Sequence, residues 1–282
     1  MMLYRYGLIL LLVTSSTVLG LAATADATTI SINFGIGDND NNTVDNNETA
    51  VNGNPHAANV SGQYWNNIEL RGSLNGQPNT FTGATQGGNS LTLIDDSGLS
   101  AATLTSNGDL HANFAAVSNP SQGETGDGGL FHSALHLGGD SHPNESVTIS
   151  GLTDAFTHGG YRVIAFFDIG SLDNRTYGLN VGDGLTSASY WTHDTLADSD
   201  SDGDGHIEWQ LTSATTSGTA VMDANYAVFD GLSGSSFTIT GLGSQGRAVL
   251  TGLQIVAVPE PSTLVLALLG GMALVILRWR RK

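Results

Sequence analysis

From residue 28 to residue 257, apolar side chains recur at alternate positions in short bursts, separated by turns rich in Gly, Asn, Asp and Ser. This two-residue period predicts half-buried strands. Thr29 to Phe34 places Ile30, Ile32 and Phe34 on one face, and a polar loop is expected from Gly35 to Asn59. Asn66 to Leu70 predicts a short strand. Ser90 to Ile94 predicts another, ended by the turn Asp95-Asp96-Ser97-Gly98, with Ala101 to Leu104 as its antiparallel partner. From Ser106 to Asn144 the alternation fades, and the segment is expected to drape over one sheet edge. The alternation returns at Ser146 to Ile149. Tyr161 to Ile169 is almost continuously apolar, as a central strand buried on both faces would be. Arg175 to Val181, Tyr226 to Phe229, Ser236 to Thr240 and Ala248 to Val256 complete the series. Strands at these intervals predict an all-β sandwich.

The two ends follow other rules. Near the N-terminus, Arg5 precedes the apolar stretch Gly7 to Val13, and small residues continue to Ala27. Ala23-Thr24-Ala25 and Ala25-Asp26-Ala27 both fit small-x-small cleavage, so residues 1–27 predict a secretory signal peptide helix. At the other end, Val258-Pro259-Glu260-Pro261-Ser262-Thr263 leads into an apolar run from Leu264 to Leu277 and then Arg278-Trp279-Arg280-Arg281-Lys282. Pro259 and Pro261 forbid helix through the tripeptide, which holds Glu260 on an extended, protease-accessible stretch. The apolar run is 14 residues, against the roughly 20 that span a hydrocarbon core. Flanking residues from Ser262 to Trp279 extend it, and the terminal cations reach the headgroups. A single transmembrane helix is therefore expected. Its basic end is cytoplasmic and everything before Pro259 lies outside.

Taken together, these elements resemble the PEP-CTERM sorting signal of Gram-negative bacteria, in which Pro-Glu-Pro precedes one helix and an Arg-rich terminus. Pro259, Glu260 and Pro261 match that motif residue by residue. The resemblance implies processing by exosortase, a membrane protease, with membrane anchoring through the C-terminal helix before it. Three body segments also resemble a β-sandwich domain found ahead of this signal: Trp65-Asn66-Asn67, Leu91 to Gly98, and Asn225 to Leu232 with Arg247 to Val256. That similarity implies a jelly roll in which the first strand pairs near the last. The organisation is then 1–27 signal peptide, 28–257 jelly-roll-like β-sandwich, and 258–282 sorting signal.

Charge removes one class of partner. Residues 28–257 carry 24 acidic residues against Arg71, Arg162, Arg175 and Arg247, a balance of −20. Nucleic acid is excluded, because phosphate backbones demand clustered Lys and Arg. The chain has no cysteine, so neither disulfides nor thiolate metal sites are available. Such a surface suits an exported protein and attracts divalent cations.

The sharpest local feature is Asp198-Ser199-Asp200-Ser201-Asp202-Gly203-Asp204-Gly205-His206-Ile207-Glu208. From Asp200 it follows the first nine positions of a calcium loop, with Gly205 at the sharp turn and Ile207 as the core anchor. Leu211 replaces the bidentate Glu of position twelve. A structural Ca2+ is expected, with Asp198, Asp200, Asp202, Asp204 and Glu208 as candidate ligands. His132, His136 and His142 read as loop histidines, since no acidic partner has zinc spacing. Gly241-Leu242-Gly243-Ser244-Gln245-Gly246 fits G-x-G-x-x-G, but a β-like run follows where a helix is required, so a Gly-rich hairpin turn is expected. No G-x-S-x-G or H-E-x-x-H motif occurs, and no pair of carboxylates stands out for glycoside cleavage. Trp65, Trp191 and Trp209 lie near polar, turn-like sequence, where flat rings can stack on sugars.

The sequence thus predicts an exported, surface-sorted, non-enzymatic surface or matrix protein that binds exopolysaccharide, with a calcium-stabilised loop. The alternatives are a structural matrix protein without a specific ligand and a hydrolase of extracellular polysaccharide.

Overall fold

The computed structural model describes residues 28–36, 65–71, 80–83, 86–88, 90–107, 111–114, 133–138, 145–167, 174–195, 209–243, 248–259 and 278–279. The expected signal peptide and the apolar run of residues 264–277 lie outside them; of the loop expected from Gly35 to Asn59, Gly35 and Ile36 instead continue β1 beside β2 and the rest lies outside the described residues. Among the described residues no helix is long and apolar enough to cross a membrane. Thr28–Val258 forms one compact unit.

The chain lays down β1 (Thr29–Ile36), β2 (Trp65–Arg71), β3 (Thr80–Gly83), β4 (Gln86–Gly88), β5 (Ser90–Ile94) and β6 (Ser100–Asn107). Then come β7 (His111–Phe114), β8 (Ser133–Leu137), β9 (Ser146–Ser150), the one-turn helix α1 (Asp154–Thr157), β10 (Tyr161–Phe166), β11 (Arg175–Gly182) and β12 (Ser187–Asp194). The last are β13 (Val221–Met222), β14 (Tyr226–Leu232), β15 (Ser236–Leu242), β16 (Ala248–Leu250) and β17 (Gly252–Ala257). They form a first sheet in the order β14-β10-β17-β1-β2-β3-β4, a second in the order β13-β12-β11-β15-β9-β6-β5, and a third of β16-β8-β7. The described fold is all-β, as the alternation predicts. β1 pairs antiparallel with β17, so the first and last strands are neighbours as expected.

The pleat explains the core. Ile30, Ile32 and Phe34 on β1, Val163 and Ala165 on β10, and Leu253 and Ile255 on β17 point inward from the first sheet. They meet Leu91, Leu104, Ile149, Leu179 and Ile239 from the second sheet in one buried cluster. Alternate residues on each strand face outward.

Three expectations need correction. Residues 106–144 do not simply drape over an edge: β7 and β8 pair within them, and Ala134, Leu135 and Leu137 are fully buried. The run Ala248 to Val256 is two strands in different sheets. Thr251 marks the crossing, donating its N–H to Phe166 while its carbonyl accepts from Phe34. β15 and β16, which flank the Gly241–Gly246 segment expected as a hairpin turn, belong to different sheets and do not pair as a hairpin; residues 244–246 lie outside the described residues. Gly241 answers a close approach instead, since a Cβ there would run into the Leu137 carbonyl on β8.

Two polar fixtures join the layers. Asn66 donates to the Ser31 carbonyl at 2.9 Å and the Ile94 carbonyl at 2.8 Å, and accepts from the Ile94 N–H at 2.9 Å. One amide therefore ties β1 and β2 to β5 in the other sheet. At another corner, Asp183 accepts from the Leu185 and Thr186 N–H groups in its own turn. Its second oxygen accepts from Ser233 and Gly234, between β14 and β15. Desolvation alone would raise the Asp183 pKa, but these four backbone donors outweigh it and hold the carboxyl well below the usual range. Tyr161, which donates to the Gly234 carbonyl at 3.1 Å, is pushed the other way by burial and then by Asp183.

Gly241→Ala is expected to destabilise the unit by about 1–3 kcal/mol through overpacking, read as a lower denaturation midpoint; an unchanged midpoint would deny the close approach to β8. For Asp183, a folded pKa below the unfolded value of about 3.9 means its stabilisation is present above that pH and lost as pH falls through the folded value. Asp183→Asn sets an amide donor against N–H donors, so its melting temperature at pH 7 should fall and its melting temperature should decline less steeply below about pH 4. Parallel acid profiles for the two proteins would refute the clasp.

Candidate functional site

The three candidate tryptophans fall on two faces. Trp65 opens β2 opposite Ser31, and Trp209 lies sixteen positions before Asn225 in sequence, ahead of β14. Both pack with Ile164, Phe166, Tyr226, Val228 and Val256 in a second apolar cluster, separate from the main core. These side chains alternate with the inward set, so the cluster lies on the outer face of the first sheet. Trp209 meets Phe166 edge-on at 5.6 Å and Tyr226 at 6.1 Å between ring centroids. Phe166 is fully covered, and Trp65 and Trp209 are each half-buried. Among the described residues, the indole N–H of Trp65 is buried without a hydrogen-bond partner.

Trp191 sits apart on β12, opposite Gly178 of β11. A Cβ on Gly178 would come within 2.8 Å of the Trp191 ring. The glycine thus lets the indole lie against the sheet backbone, on the outer face of the second sheet. The strand is held from its far side, where the Trp191 N–H donates to the Ala214 carbonyl and Thr212 donates to the Trp191 carbonyl at 2.6 Å. No single ligand chain lying on one sheet face can touch all three tryptophans.

The acidic segment with Asp198, Asp200, Asp202, Asp204 and Glu208 lies outside the described residues, but both of its ends are within them. At one end, Thr195 donates its N–H and hydroxyl to the Asp223 carboxylate at 2.8 and 2.7 Å. At the other, the Gln210 N–H donates to the Asn225 side chain at 2.9 Å, and the Asn225 N–H returns a bond to the Gln210 carbonyl. Asp223 and Asn225 are two residues apart, so the segment leaves and re-enters the fold at one place. Asp223 also has a φ of 51°, a left-handed conformation that Asp tolerates better than most residues.

His136 lies on β8, opposite His111 and Val249, while His132 and His142 lie outside the described residues. Among the described residues, no group of three or more His, Asp or Glu side chains is placed to hold a metal ion. Sequence reasoning missed Asp183 and Asn66 as organising residues. Asp183 lies between Gly182 and Gly184, a turn-like sequence, but its second anchor is 50 residues away.

The fold ends at the start of the C-terminal motif. β17 stops at Ala257, the Val258 N–H donates to the Gly160 carbonyl at 2.9 Å, and Pro259 is exposed. Glu260 and Pro261 lie outside the described residues. Among curated proteins none matches the chain. Residues 257–282 match the family model described as the PEP-CTERM protein-sorting motif, so the chain carries the sorting motif of the PEP-CTERM proteins.

Proposed function

We propose that this exported, surface-sorted chain is a non-enzymatic surface or matrix protein that binds exopolysaccharide, with calcium stabilising the segment from Asp198 to Glu208. The observation that carries the reading is the sorting motif at residues 257–282, which begins where the sandwich makes its last backbone hydrogen bond. Exosortase is the partner that recognises such motifs. Cleavage near Glu260 removes no part of β17, so the body is released or transferred with its sheets whole. The C-terminal apolar run anchors the precursor in the inner membrane until then, and the processed body goes to the cell surface or the extracellular matrix.

The sandwich itself is a jelly roll in this reading. Its support is the strand order: β1-β17-β10-β14 in one sheet and β9-β15-β11-β12 in the other. In chain order these eight strands alternate between sheets except at the β11–β12 hairpin, as two interlocked Greek keys do, with β2 to β8 as an insertion after the first. Such a frame presents the polar outer face of the second sheet, which suits adhesion to a polymer. The calcium reading is supported by the sequence of the acidic segment, whose carboxylates recur at alternate positions so that a hard cation would relieve their repulsion, and by the shared base of its flanks at Asp223 and Asn225.

Two outcomes are expected. Glu260→Ala should leave unprocessed, full-length protein in the membrane fraction of the producing strain; normal processing of this variant would sink the sorting role of that residue. Calcium near 1 mM, the range of extracellular sites, should raise the wild-type melting temperature, and the Asp200→Ala/Asp202→Ala double variant should lose that rise. A wild type indifferent to calcium removes the metal from the proposal.

A further inference from the structure

The outer face of the second sheet is neutral in a chain of net charge −17. Register across its strands aligns the outward residues in rows. One row runs Ser189, Asn180, Thr240, Ser146 and Asn107. The next runs Gly182, Thr238, Thr148, Thr105 and Ser90. A third, shorter row is Ser236, Ser150, Thr103 and Thr92. Every side chain in these rows is a hydroxyl or a carboxamide, glycine excepted. The burial of the inward neighbours Val147, Ile149, Phe237 and Ile239 fixes which way each row points.

The groups are ordered by each other. Thr148 and Thr238 share a hydroxyl–hydroxyl bond of 3.0 Å. Asn107 donates to Ser146 and Thr148, each at 3.1 Å, and Asn180 donates to Ser189 at 2.9 Å. Threonine is stiff at χ1, so little side-chain freedom remains to be lost on binding. A hydroxyl both donates and accepts, so those open to solvent retain capacity for a second partner, while Ser146 is buried and serves to hold Asn107. One register step beyond Asn180, the Trp191 indole lies on Gly178 and adds an aromatic surface to the same face.

We infer that this face is a binding platform for a neutral polysaccharide. The inference rests on the glycan-binding reading above and narrows it to one sheet and one ligand class. Charge makes the selection: the strongly acidic body repels polyanions such as uronate polymers, while the uncharged rows carry nothing that would hold a polycation in place. The rows also lack the apolar anchors that drive protein association. A chain of neutral sugars offers what the rows match, namely hydroxyls that donate and accept and a C–H face that stacks on an indole. Strands about 4.8 Å apart repeat the contact at intervals close to one sugar of an extended chain. Each contact is weak, so affinity depends on many sugars bound together. Long chains bind and monosaccharides do not compete.

The test is co-sedimentation of the full chain, in detergent, with microcrystalline cellulose, chitin and calcium alginate gel. Four forms are compared: wild type, Thr148→Asp/Thr240→Asp, Thr92→Arg, and Trp65→Ala/Trp209→Ala. Thr92 is exposed on the edge strand, so its variant reports even if the double aspartate variant fails to fold. Wild type should bind at least one neutral polymer and not alginate, without competition from glucose or N-acetylglucosamine. The Thr148/Thr240 and Thr92 variants should bind at least tenfold more weakly with melting temperatures retained, while the Trp65/Trp209 variant keeps binding. If wild type binds no polysaccharide, the glycan reading itself falls. If it binds and only the Trp65/Trp209 variant loses binding, glycan binding stands and this platform is refuted. Preference for alginate, self-association abolished by Thr92→Arg, or thermal hysteresis in ice without glycan binding would each overturn the assignment.

Discussion

β1 and β17 come from the two ends of the compact unit and lie side by side at the centre of the first sheet, where the Gln254 side-chain amide reaches Ser31 across 223 positions of sequence. Every other strand in that sheet is referred to this pair: β2 adds to one side and β10 to the other. Long-range pairings of this kind form slowly, because the chain's loop entropy must be overcome first. For an exported chain the constraint is also one of order. The central strand pair cannot form until residue 257 is outside, so nearly the whole body crosses before its first sheet can close. The C-terminal segment then leaves β17 little chain in which to search.

The second sheet depends on closeness rather than on span. β8 of the third sheet approaches β15 so nearly that neither Gly138 nor Gly241 has room for a Cβ. Leu135 and Leu137 from β8 fill the space between the two larger sheets. Asn66 and the Asp183 carboxylate then fix two corners with backbone-directed bonds. Apolar contacts provide the bulk of the cohesion and are non-directional, so such polar ties set the register of one layer on the other.

Much of this architecture was legible in the sequence where the pleat had one dry and one wet side. β5 and β9 announce themselves because Leu91, Leu93, Val147 and Ile149 alternate with Ser and Thr. β12 does not, because its inward positions are Ala188, Tyr190, Thr192 and Asp194, a set with little hydrophobic contrast. The short β7 and β8 were hidden for a related reason: four or five residues give too few periods to stand out from a loop. β16 and β17 merged into one expected strand because the burial of Thr251 between them is a tertiary event. The sorting motif was fully legible, being a covalent signal read as sequence. The tryptophans were legible as candidates only, since their distribution between two sheets depends on strand order. The hydroxyl rows were invisible until register put residues from five strands in line.

The position of β17 also decides how the body bears load while it is tethered. A pull on the C-terminal segment enters the fold along β17, which has β1 hydrogen-bonded on one edge and β10 on the other. The inter-strand bonds lie across the strand direction, so force along β17 against the body of the sheet loads two ladders together. An edge strand in the same place would load one. Tension on the C-terminal segment therefore enters the fold at a strand paired along both edges.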